Sequence, residues 1–373
     1  MAEQPEVPRE GHDGERTPQE DGSPAVGHEQ PSATAPRPGR APTIYDVARV
    51  AGVAPSTVSR TFARPGRVNT DTAARIRAVA AELGYRANPV ARALSTARSH
   101  MIAVVVPHLA NPIYAEMLHG AQAAAAEAGY VLLVEDTHES AAHERTSAER
   151  VLPVVDGIVL ASSRMSDSAI RAIAKQVPVV VVNRALPDVP SVVTDNARGT
   201  RKAVEHLVAL GHRDLAYLGG PAASWADGVR WRSFADRARE LGVAAQRIGP
   251  LRTTVAGGLG ATEQARRLGA TGLVVYNALM AVGLMRGLSA AGVRVPEDVS
   301  VVGFDNIVLA QLVTPSLTTV SSPLSDMGAA AVRNLLALVA GAQPRSGEPL
   351  LMPTRLTVRG SSGPAPTSGG RSR

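Results

Sequence analysis

The sequence predicts a chain of two parts: an N-terminal all-α unit built around a helix-turn-helix, followed by an α/β domain with parallel sheets. Residues 43–99 contain three short helical patterns and an excess of Arg. From residue 101 onward, apolar runs alternate with Ala-rich helical stretches, which is typical of parallel sheets covered by helices. Polar residues follow several of these runs directly, at the sheet edge where such folds bind ligands.

The first two predicted helices form the helix-turn-helix. Thr43 and Asp46 form a capping box at the start of the first helix, and Gly52 ends it in a left-handed conformation. The apolar positions of this helix follow the i, i+3, i+4, i+7 spacing of one helical face: Ile44, Val47, Ala48 and Ala51. Pro55 suits the first turn of the second helix. Val58 and Phe62 then face the core, and the polar residues Ser56, Thr57 and Arg60 point outward. The second helix of such a motif enters the DNA major groove.

A third helix completes the unit. Asn69 is a suitable N-cap and Gly84 ends the helix. Its apolar face comprises Ile76, Val79, Ala80 and Leu83. Residues 43–99 contain nine Arg, three acidic residues and no Lys, and Arg suits bidentate contact with phosphate or guanine. The alternative to a DNA-binding unit is a small three-helix bundle whose basic face is simply exposed to solvent.

The segments TIYDVARVAGVAPSTVSR (43–60) and ELGYRANPVARAL (82–94) resemble the headpiece of the lac repressor family of bacterial transcription regulators. The resemblance implies that Pro55, Ser56 and Arg60 read bases, and that Thr57 and Ser59 contact phosphates or pack. The full set of expected DNA contacts is Thr43, Tyr45, Pro55, Ser56, Thr57, Ser59, Arg60, Arg67, Asn88, Ala91 and Leu94. Ala54 and Ala63 depart from the family's usual Ser and Asn, so the operator sequence is left open in detail.

The resemblance also implies a hinge helix within 88–100, beyond a DNA-binding domain of 43–87. In the family this helix forms only on operator DNA. Leu94 matches the leucine that is wedged into the minor groove, and Ala91 lies at the position of close approach. The alternative for Leu94 is an ordinary apolar position of a helix.

Composition limits the remaining possibilities. The chain has 373 residues, a net charge of +6 and no Cys, which excludes disulfides and thiolate metal sites and fits a reducing cytoplasm. No apolar run is long enough to span a bilayer and no apolar signal region opens the chain, so we expect a cytoplasmic protein. Residues 1–42 are rich in Pro, Gly, Glu and Gln and are expected to be disordered. Three interpretations of residues 1–42 remain open: the segment has no role, the start of the chain is misassigned, or the segment is an acidic tail that competes with DNA for the basic headpiece. Residues 361–373 are expected to be a flexible C-terminus.

The α/β domain, 101–360, contains two series of strands. The predicted strands are 102–106, 130–135, 157–161, 178–182 and 191–193 in the first series, and 214–220, 272–276 and 299–305 in the second, with 247–255 uncertain. The segment SVVGFDNIVLAQLVTPSLTTV (300–320) resembles a signature of the same family, whose effector domain has the two-lobed periplasmic-binding-protein fold. This resemblance implies a first lobe of about 101–193 and 322–347, and a second of about 195–320 and 350–358.

The strand-end rule and the resemblance together select the ligand site. Residues that follow the predicted strands are His108, Asn111, Tyr114, Asn183, Arg184, Trp225, Arg230, Asn277 and Asp305. All of them except Arg184, which suits a structural role, are expected to bind a hydroxyl-rich effector. By resemblance, Arg230 grips the effector, although Ser233 replaces the family's Gly and Ala278 replaces the Asp that usually follows Asn277. There are alternatives for four of these residues. Asp305 could be a structural cap, Arg230 could form an interlobe salt bridge, and His108 and Trp225 could have surface roles.

These features favour a homodimeric repressor that binds a pseudo-palindromic operator and is controlled by a small molecule. The expected effector is a sugar or sugar derivative, with nucleobases as the alternative. The sequence leaves open whether the effector induces or co-represses. No catalytic residue, metal site or cofactor is predicted, because GGLGATE (257–263) lacks both phosphate-loop spacings and no nucleophile elbow is present. A sugar-binding transport component, an α/β enzyme and a sequence-blind DNA binder are the other classes. The tail GPAPTSGGRSR lacks heptads, which favours a dimer over a tetramer.

Overall fold

A computed structural model of the protein describes residues 40–63, 66–86, 98–343 and 347–366. The chain divides into two compact units between Ala87 and Asn88. The predicted hinge residues Asn88, Ala91 and Leu94 lie outside the described residues, as do positions 1–39 of the N-terminal tail.

The first unit consists of three helices: α1 (Ile44–Ala51), α2 (Pro55–Ala63) and α3 (Thr70–Glu82). The helix starts follow from local hydrogen bonds. The Asp46 carboxylate accepts hydrogen bonds from the backbone N–H and hydroxyl of Thr43, and the Asn69 side chain accepts from the Asp71 and Thr72 amides. Gly52 has φ of 64°, which confirms the predicted left-handed end of α1.

Each helix contributes a fully buried aliphatic residue to the core of this unit: Val47, Val58 and Ile76. Phe62 and Tyr85 close the core with ring centroids 5.8 Å apart. Because this core is small, only a few side chains determine the orientation of α2.

The second unit contains two six-stranded sheets. The first comprises β1 (Met101–Val106), β2 (Val131–Asp136), β3 (Gly157–Ala161), β4 (Val179–Val182), β5 (Ser191–Thr194) and β11 (Leu350–Met352), in the order β11-β5-β4-β3-β1-β2, all parallel. The second comprises β6 (Asp214–Leu218), β7 (Ala244–Ile248), β8 (Gly272–Val275), β9 (Ser300–Phe304), β10 (Thr318–Ser321) and β12 (Arg355–Thr357), in the order β12-β10-β9-β8-β6-β7. In this sheet only β12 is antiparallel.

Helices cover both faces of both sheets. Those of the first lobe are α4 (Pro112–Glu127), α5 (Ala141–Val151), α6 (Asp167–Ala174) and α13 (Leu324–Val339). Those of the second are α7 (Asn196–Ala209), α8 (Trp225–Glu240), α9 (Val255–Gly260), α10 (Thr262–Leu268), α11 (Ala278–Ala290) and α12 (Leu309–Leu312). Side chains of β1 alternate between two apolar clusters, because successive residues of a strand point to opposite faces of the sheet. Ile102 and Val104 pack in one cluster, and Ala103 packs in the other. No helix of the described residues is long and apolar enough to cross a membrane.

The C-terminal part corrects two expectations. Residues 350–358 were predicted to belong to the second lobe, but β11 extends the first sheet, with Leu350 paired to Val192. The chain crosses between the lobes after β11, and only β12 joins the second sheet.

Residues 361–366, predicted to be flexible, pack against the second sheet. Ser361 is fully buried and donates its hydroxyl to Val301 O at 2.5 Å, and its Oγ accepts the Thr318 amide at 2.8 Å. Composition predicted flexibility because Gly, Ser and Pro dominate, but paired backbone and hydroxyl groups hold this segment in place.

Candidate nucleic-acid interface and ligand cleft

The outer face of α2 presents the polar residues that the helix-turn-helix motif requires. Pro55, Ser56 and Arg60 are exposed, and Arg60 Nη2 donates to Ser56 Oγ at 3.4 Å, one helical turn away. Thr57 and Ser59 are half-buried, which agrees with roles in phosphate contact or packing. Ala54 provides only its backbone carbonyl to the first turn of α2.

Three other predicted DNA contacts flank this helix. Tyr45 is 70% exposed on α1 and Arg67 is exposed in the turn after α2. Thr43 is half-buried because its hydroxyl and amide both bind Asp46. Tyr45 and Arg67 are therefore accessible at the surface of this unit.

In the second unit, the carboxyl ends of the parallel strands border an inner cavity between the two lobes. The space between its lining atoms totals about 310 Å³ with open solvent included, but only about 20 Å³ can hold the centre of a water-sized sphere. Its lining is Asn111, Ile113, Tyr114, Glu139, Ser162, Arg164, Asn183, Arg230, Thr253, Tyr276, Asn277 and Asp305. Small-molecule sites typically have volumes of about 300–1,000 Å³, so a ligand can enter only if the lining residues of the two lobes move apart.

Six of the eight predicted effector residues line this inner cavity: Asn111, Tyr114, Asn183, Arg230, Asn277 and Asp305. His108 lies outside it and borders a more open hollow together with His138, Pro250 and Leu251. Trp225 is half-buried at the start of α8 and is not among the residues that line either space. Arg184 donates Nη1 to the carbonyls of Ser163 and Met165, a structural arrangement.

Arg230 is held in a fixed position inside the second lobe. Its Nε donates to Asn196 Oδ1 at 2.7 Å and its Nη1 to Tyr276 O at 2.5 Å, and its guanidinium carbon lies 3.9 Å from the centre of the Phe304 ring. Asn196 in turn donates Nδ2 to Asn183 Oδ1 at 3.3 Å, which links this network to the first lobe. Two guanidinium nitrogens are thus committed to the protein, and Nη2 has no hydrogen-bond partner among the described residues.

Asp305 provides an acceptor in the same lobe, directly after Phe304, the residue whose ring the Arg230 guanidinium contacts. Its backbone φ is 70°, and its carboxylate forms no hydrogen bond within the described part of the chain. Burial raises the pKa of Asp305 to about 6; Arg230 opposes this shift and Glu116 adds to it. A desolvated, unpaired carboxylate facing a cavity is suited to accept hydrogen bonds from ligand hydroxyls.

Two of the predicted residues, Asn277 and Asn111, use their side-chain oxygens to cap helices that begin at the cavity. Asn277 accepts the Met280 amide at 2.8 Å as the N-cap of α11 and donates Nδ2 to Thr253 O at 3.1 Å. Asn111 accepts the Ile113 amide at 3.3 Å as the N-cap of α4. Both helices therefore begin at the cavity and direct their positive ends toward it.

Sequence reasoning missed five polar residues of the lining: Glu139, Ser162, Arg164, Thr253 and Tyr276. Arg164 is buried and donates Nε to Glu139 Oε2 at 2.7 Å and Nη1 to Ser162 O at 2.9 Å. Ser162 and Tyr276 directly follow β3 and β8, so the strand-end rule, applied to every strand, would have found them, whereas Glu139 and Arg164 lie three residues beyond β2 and β3. Thr253 follows β7, which lacks a continuous apolar run because it is the edge strand.

Backbone strain marks the same sheet edges. Six non-glycine residues of the described part have positive φ, and five of them follow strands that end at the cleft: His138, Glu139, Ser162, Asn183 and Asp305. Such conformations cost about 1–3 kcal/mol each and concentrate at functional sites. Strain at four different strand ends supports the assignment of this edge as a binding site.

Comparison with known proteins agrees with this geometry. Residues 43–88 match the family described as bacterial regulatory proteins, lacI family, and residues 204–362 match the periplasmic binding protein-like domain. The chain superposes on the lac repressor dimer bound to operator and the anti-inducer ONPF with a TM-score of 0.77, at 29% identity, covering 87% of this chain and 100% of that one.

A second solved structure is a LacI family regulator from Enterococcus faecium with bound ribose. Its TM-score is 0.64 at 27% identity, covering 71% of this chain and 99% of that one. Among curated proteins, the transcriptional regulator DegA of Bacillus subtilis is 33% identical over 336 residues, which is 87% of this chain and 99% of DegA. Since this similarity includes both the helix-turn-helix and the two-lobed domain, the chain belongs to the lacI family of bacterial regulatory proteins.

Proposed function

We propose that the protein is a transcriptional repressor whose affinity for operator DNA is set by a sugar or sugar derivative in the inner cavity. The observation that carries this proposal is the pairing, within one chain, of an exposed helix-turn-helix face with a cavity that holds an unpaired carboxylate, Asp305, and a buried guanidinium, Arg230.

The chemistry of the cavity favours a polyhydroxylated ligand. Each sugar hydroxyl is both donor and acceptor, so adjacent hydroxyls can donate to Asp305 and accept from Arg230. Tyr114 and Tyr276 also line the cavity, and aromatic rings can pack against the apolar face of a sugar ring. The related regulator from Enterococcus faecium binds ribose, which supports this ligand class.

The DNA-binding half of the proposal depends on α2. Arg60 and Ser56 would contact base edges in the major groove, with Pro55 beside them and Thr57, Ser59, Thr43, Tyr45 and Arg67 on or near the phosphates. Two copies of the chain would read a pseudo-palindromic operator, since a two-fold dimer requires a two-fold site. The operator-bound lac repressor dimer supports this arrangement.

Control would follow from the relative position of the lobes. Two hydrogen bonds, Thr253 to Glu139 and Asn196 to Asn183, cross between them and border the cavity. A ligand that binds one lobe arrangement more tightly shifts the population toward it, by no more than its differential affinity. Asn88, Ala91 and Leu94 would transmit this shift as a hinge helix that forms on the operator. The protein would perform no catalysis and would act in the cytoplasm.

A ligand screen tests the proposal. The purified full chain is heated in the presence of sugars, sugar phosphates and nucleobases, and a ligand at 100 times its dissociation constant should add about 2.7 kcal/mol to the stability. The same ligand is then added to a fluorescence measurement of operator binding. The Asp305→Asn variant should bind operator normally and lose the thermal response.

Two outcomes would contradict the proposal. A hit that raises the stability of Asp305→Asn as much as that of the wild type would place the ligand elsewhere. Equal affinity for the selected operator and for random DNA would remove the regulatory function, because specific regulators discriminate by about 10³-fold or more.

A further inference from the structure

His108, Asp136 and His138 form a cluster on the first lobe, outside the inner cavity. His108 Nδ1 lies 3.8 Å from one carboxylate oxygen of Asp136, and His138 Nδ1 lies 3.7 Å from the other. The three candidate ligand atoms are all within 4.8 Å of one another. The cluster joins residues that follow β1 with residues at the end of β2, so the sheet itself brings them together.

The separations are close to those of a metal site. In a tetrahedral site with ligand distances of about 2.0–2.1 Å, the ligand atoms stand about 3.3–3.4 Å apart. Small rotations of the two imidazoles would therefore bring all three atoms to one ion. His108 Nδ1 is shielded from solvent and has no hydrogen-bond partner in the part of the chain that the structure describes, an arrangement that an ion beside Asp136 would explain.

An outer shell already orients the carboxylate. Asp136 accepts the Leu109 amide at 3.0 Å on one oxygen and the His138 amide at 3.1 Å on the other. Metal-binding carboxylates are commonly fixed in this way, and the remaining lone pairs stay available to the ion. The left-handed backbone of His138, with φ of 50°, turns its ring toward the cluster.

We propose that His108, Asp136 and His138 bind a divalent first-row transition-metal ion, for which Zn²⁺ is the probe. Two imidazole nitrogens and one carboxylate oxygen suit Zn²⁺, Ni²⁺ or Co²⁺, whereas Mg²⁺ and Ca²⁺ require oxygen ligands. Three protein ligands leave a coordination position open to water or to an oxygen of a small molecule.

Two of the three candidate ligands, His108 and His138, border the hollow between the lobes. The second lobe lines this hollow with Pro221, Pro250, Leu251, Arg252, Thr253 and Thr254, none of which carries an imidazole or carboxylate. All three ligands therefore come from the first lobe, and metal binding requires no closure of the cleft. One of the ligands, His138, directly precedes Glu139, and Glu139 accepts a hydrogen bond from Thr253 of the second lobe.

The test measures Zn²⁺ binding to the full chain after removal of metals with a chelator. Calorimetry at neutral pH should show one site in the wild type. His138→Asn should weaken Zn²⁺ binding by at least about ten-fold, since even loss of an outer-shell partner costs 10–100-fold. Asn tolerates the left-handed backbone, and the His138 side chain is 68% exposed, so this variant should fold. His143→Asn, at an exposed histidine of α5, is the matched control and should bind like the wild type.

A second measurement keeps the outcome decisive. Co²⁺ in place of Zn²⁺ should give visible absorption bands of a low-coordinate site in the wild type and lose them in Asp136→Asn. Equal Zn²⁺ affinity in the wild type and His138→Asn would overturn the site. So would absence of wild-type binding at about 100 µM Zn²⁺, a concentration far above the dissociation constants of protein zinc sites.

Discussion

Thr253 of the second lobe donates its hydroxyl to Glu139 Oε1 of the first lobe at 3.0 Å, across the mouth of the inner cavity. Arg164, also in the first lobe, donates to the other Glu139 oxygen at 2.7 Å. The carboxylate is therefore held in place within its own lobe, independently of Thr253. Glu139 has φ of 61°, and the structure maintains this strained backbone at the point where the lobes meet. This contact therefore favours the lobe arrangement in which the cavity is closed.

We predict that Thr253→Val weakens effector binding about five-fold. Valine keeps the shape of the side chain and removes the donor, and a hydrogen bond to a partly exposed carboxylate contributes about 1 kcal/mol. Calorimetric titration with the effector from the ligand screen measures the change. Operator affinity without effector should differ much less from the wild type than effector affinity does.

The double-mutant cycle with Glu139→Gln isolates this contact. If the Thr253 hydroxyl acts through Glu139, the two losses should not add, and their coupling should be about 0.5 kcal/mol or more. Fully additive losses would show that Thr253 acts on something other than Glu139.

The carboxyl group of Asp305 should make the stability of the ligand-free protein depend on pH. Its folded pKa of about 6 exceeds the ordinary value of 3.8, so the folded state holds this proton more tightly than the unfolded state. The contribution to folding is therefore fully present below pH 3.8 and is lost as the pH rises to about 6. Above that pH the ionised, desolvated carboxylate is a net cost.

Asp305→Asn tests this sign. Asn tolerates the positive φ and carries no charge, so at pH 7.5 the variant should be more stable than the wild type by about 1–2 kcal/mol without ligand. The difference should disappear as the pH falls from about 6 toward 4. Chemical denaturation at a series of pH values measures it. A variant less stable than the wild type at pH 7.5 would mean that Asp305 is a structural cap.

The sequence-based strand predictions depended on apolar runs, which located most interior strands and also the half-exposed edge strand β2. β1, β3, β4, β8 and β9 are interior strands with nearly continuous apolar runs. β7 (Ala244–Ile248) was placed only uncertainly, at 247–255, because its sequence, AAQRI, exposes several side chains and lacks an apolar run. β11 was assigned to the wrong lobe because three residues carry no information about which sheet they join.

The same physics separates the predicted from the missed site residues. Asn183 and Asp305 directly follow strongly apolar strands, which made them easy to select. Glu139 follows a half-exposed edge strand, and its role depends on Arg164 and Thr253, which lie 25 and 114 residues away in sequence. Contacts between distant residues require the fold, and the spacing of residue types does not reveal them.

Close helix packing in the second lobe predicts an asymmetric response of two neighbouring glycines. A Cβ on Gly258 would lie 1.9 Å from Met280 O of α11, whereas a Cβ on Gly260 would meet nothing within 4 Å. Both residues belong to α9. Gly258→Ala should lower the free energy of unfolding by about 1–3 kcal/mol or more, because backbone must move. Gly260→Ala should be neutral or stabilising by up to about 1 kcal/mol.

Chemical denaturation of the two variants and the wild type makes this comparison. The two substitutions add the same methyl group to the same helix, so helix propensity cancels between them. Equal stability of Gly258→Ala and Gly260→Ala would contradict the close approach of α9 and α11.

The exposed face of α2 predicts a base-specific role for Arg60. Arg60→Ala should reduce operator affinity by about 1–3 kcal/mol and relax the preference at one base pair of each half-site. Arg49→Ala is the control for loss of a positive charge, because Arg49 lies on α1 and pairs with Asp46 at 3.2 Å. Its effect should be small and uniform over all sequences. Selection from a randomised operator library measures both, and unchanged preference in Arg60→Ala would exclude the assigned orientation of α2.

The buried C-terminal segment predicts that residues 361–366 are required for stability of the second lobe. Removal of 361–373 would leave the Val301 carbonyl and the Thr318 amide without the Ser361 hydroxyl, and would free Ser300 Oγ from Gly363 O. Each unpaired buried group costs about 1–3 kcal/mol, so the truncated chain should lose at least about 2 kcal/mol. Removal of 367–373 keeps all these bonds and is the matched control. Thermal unfolding of the two truncated chains decides: equal melting temperatures would mean that the segment is the flexible tail that its composition suggested.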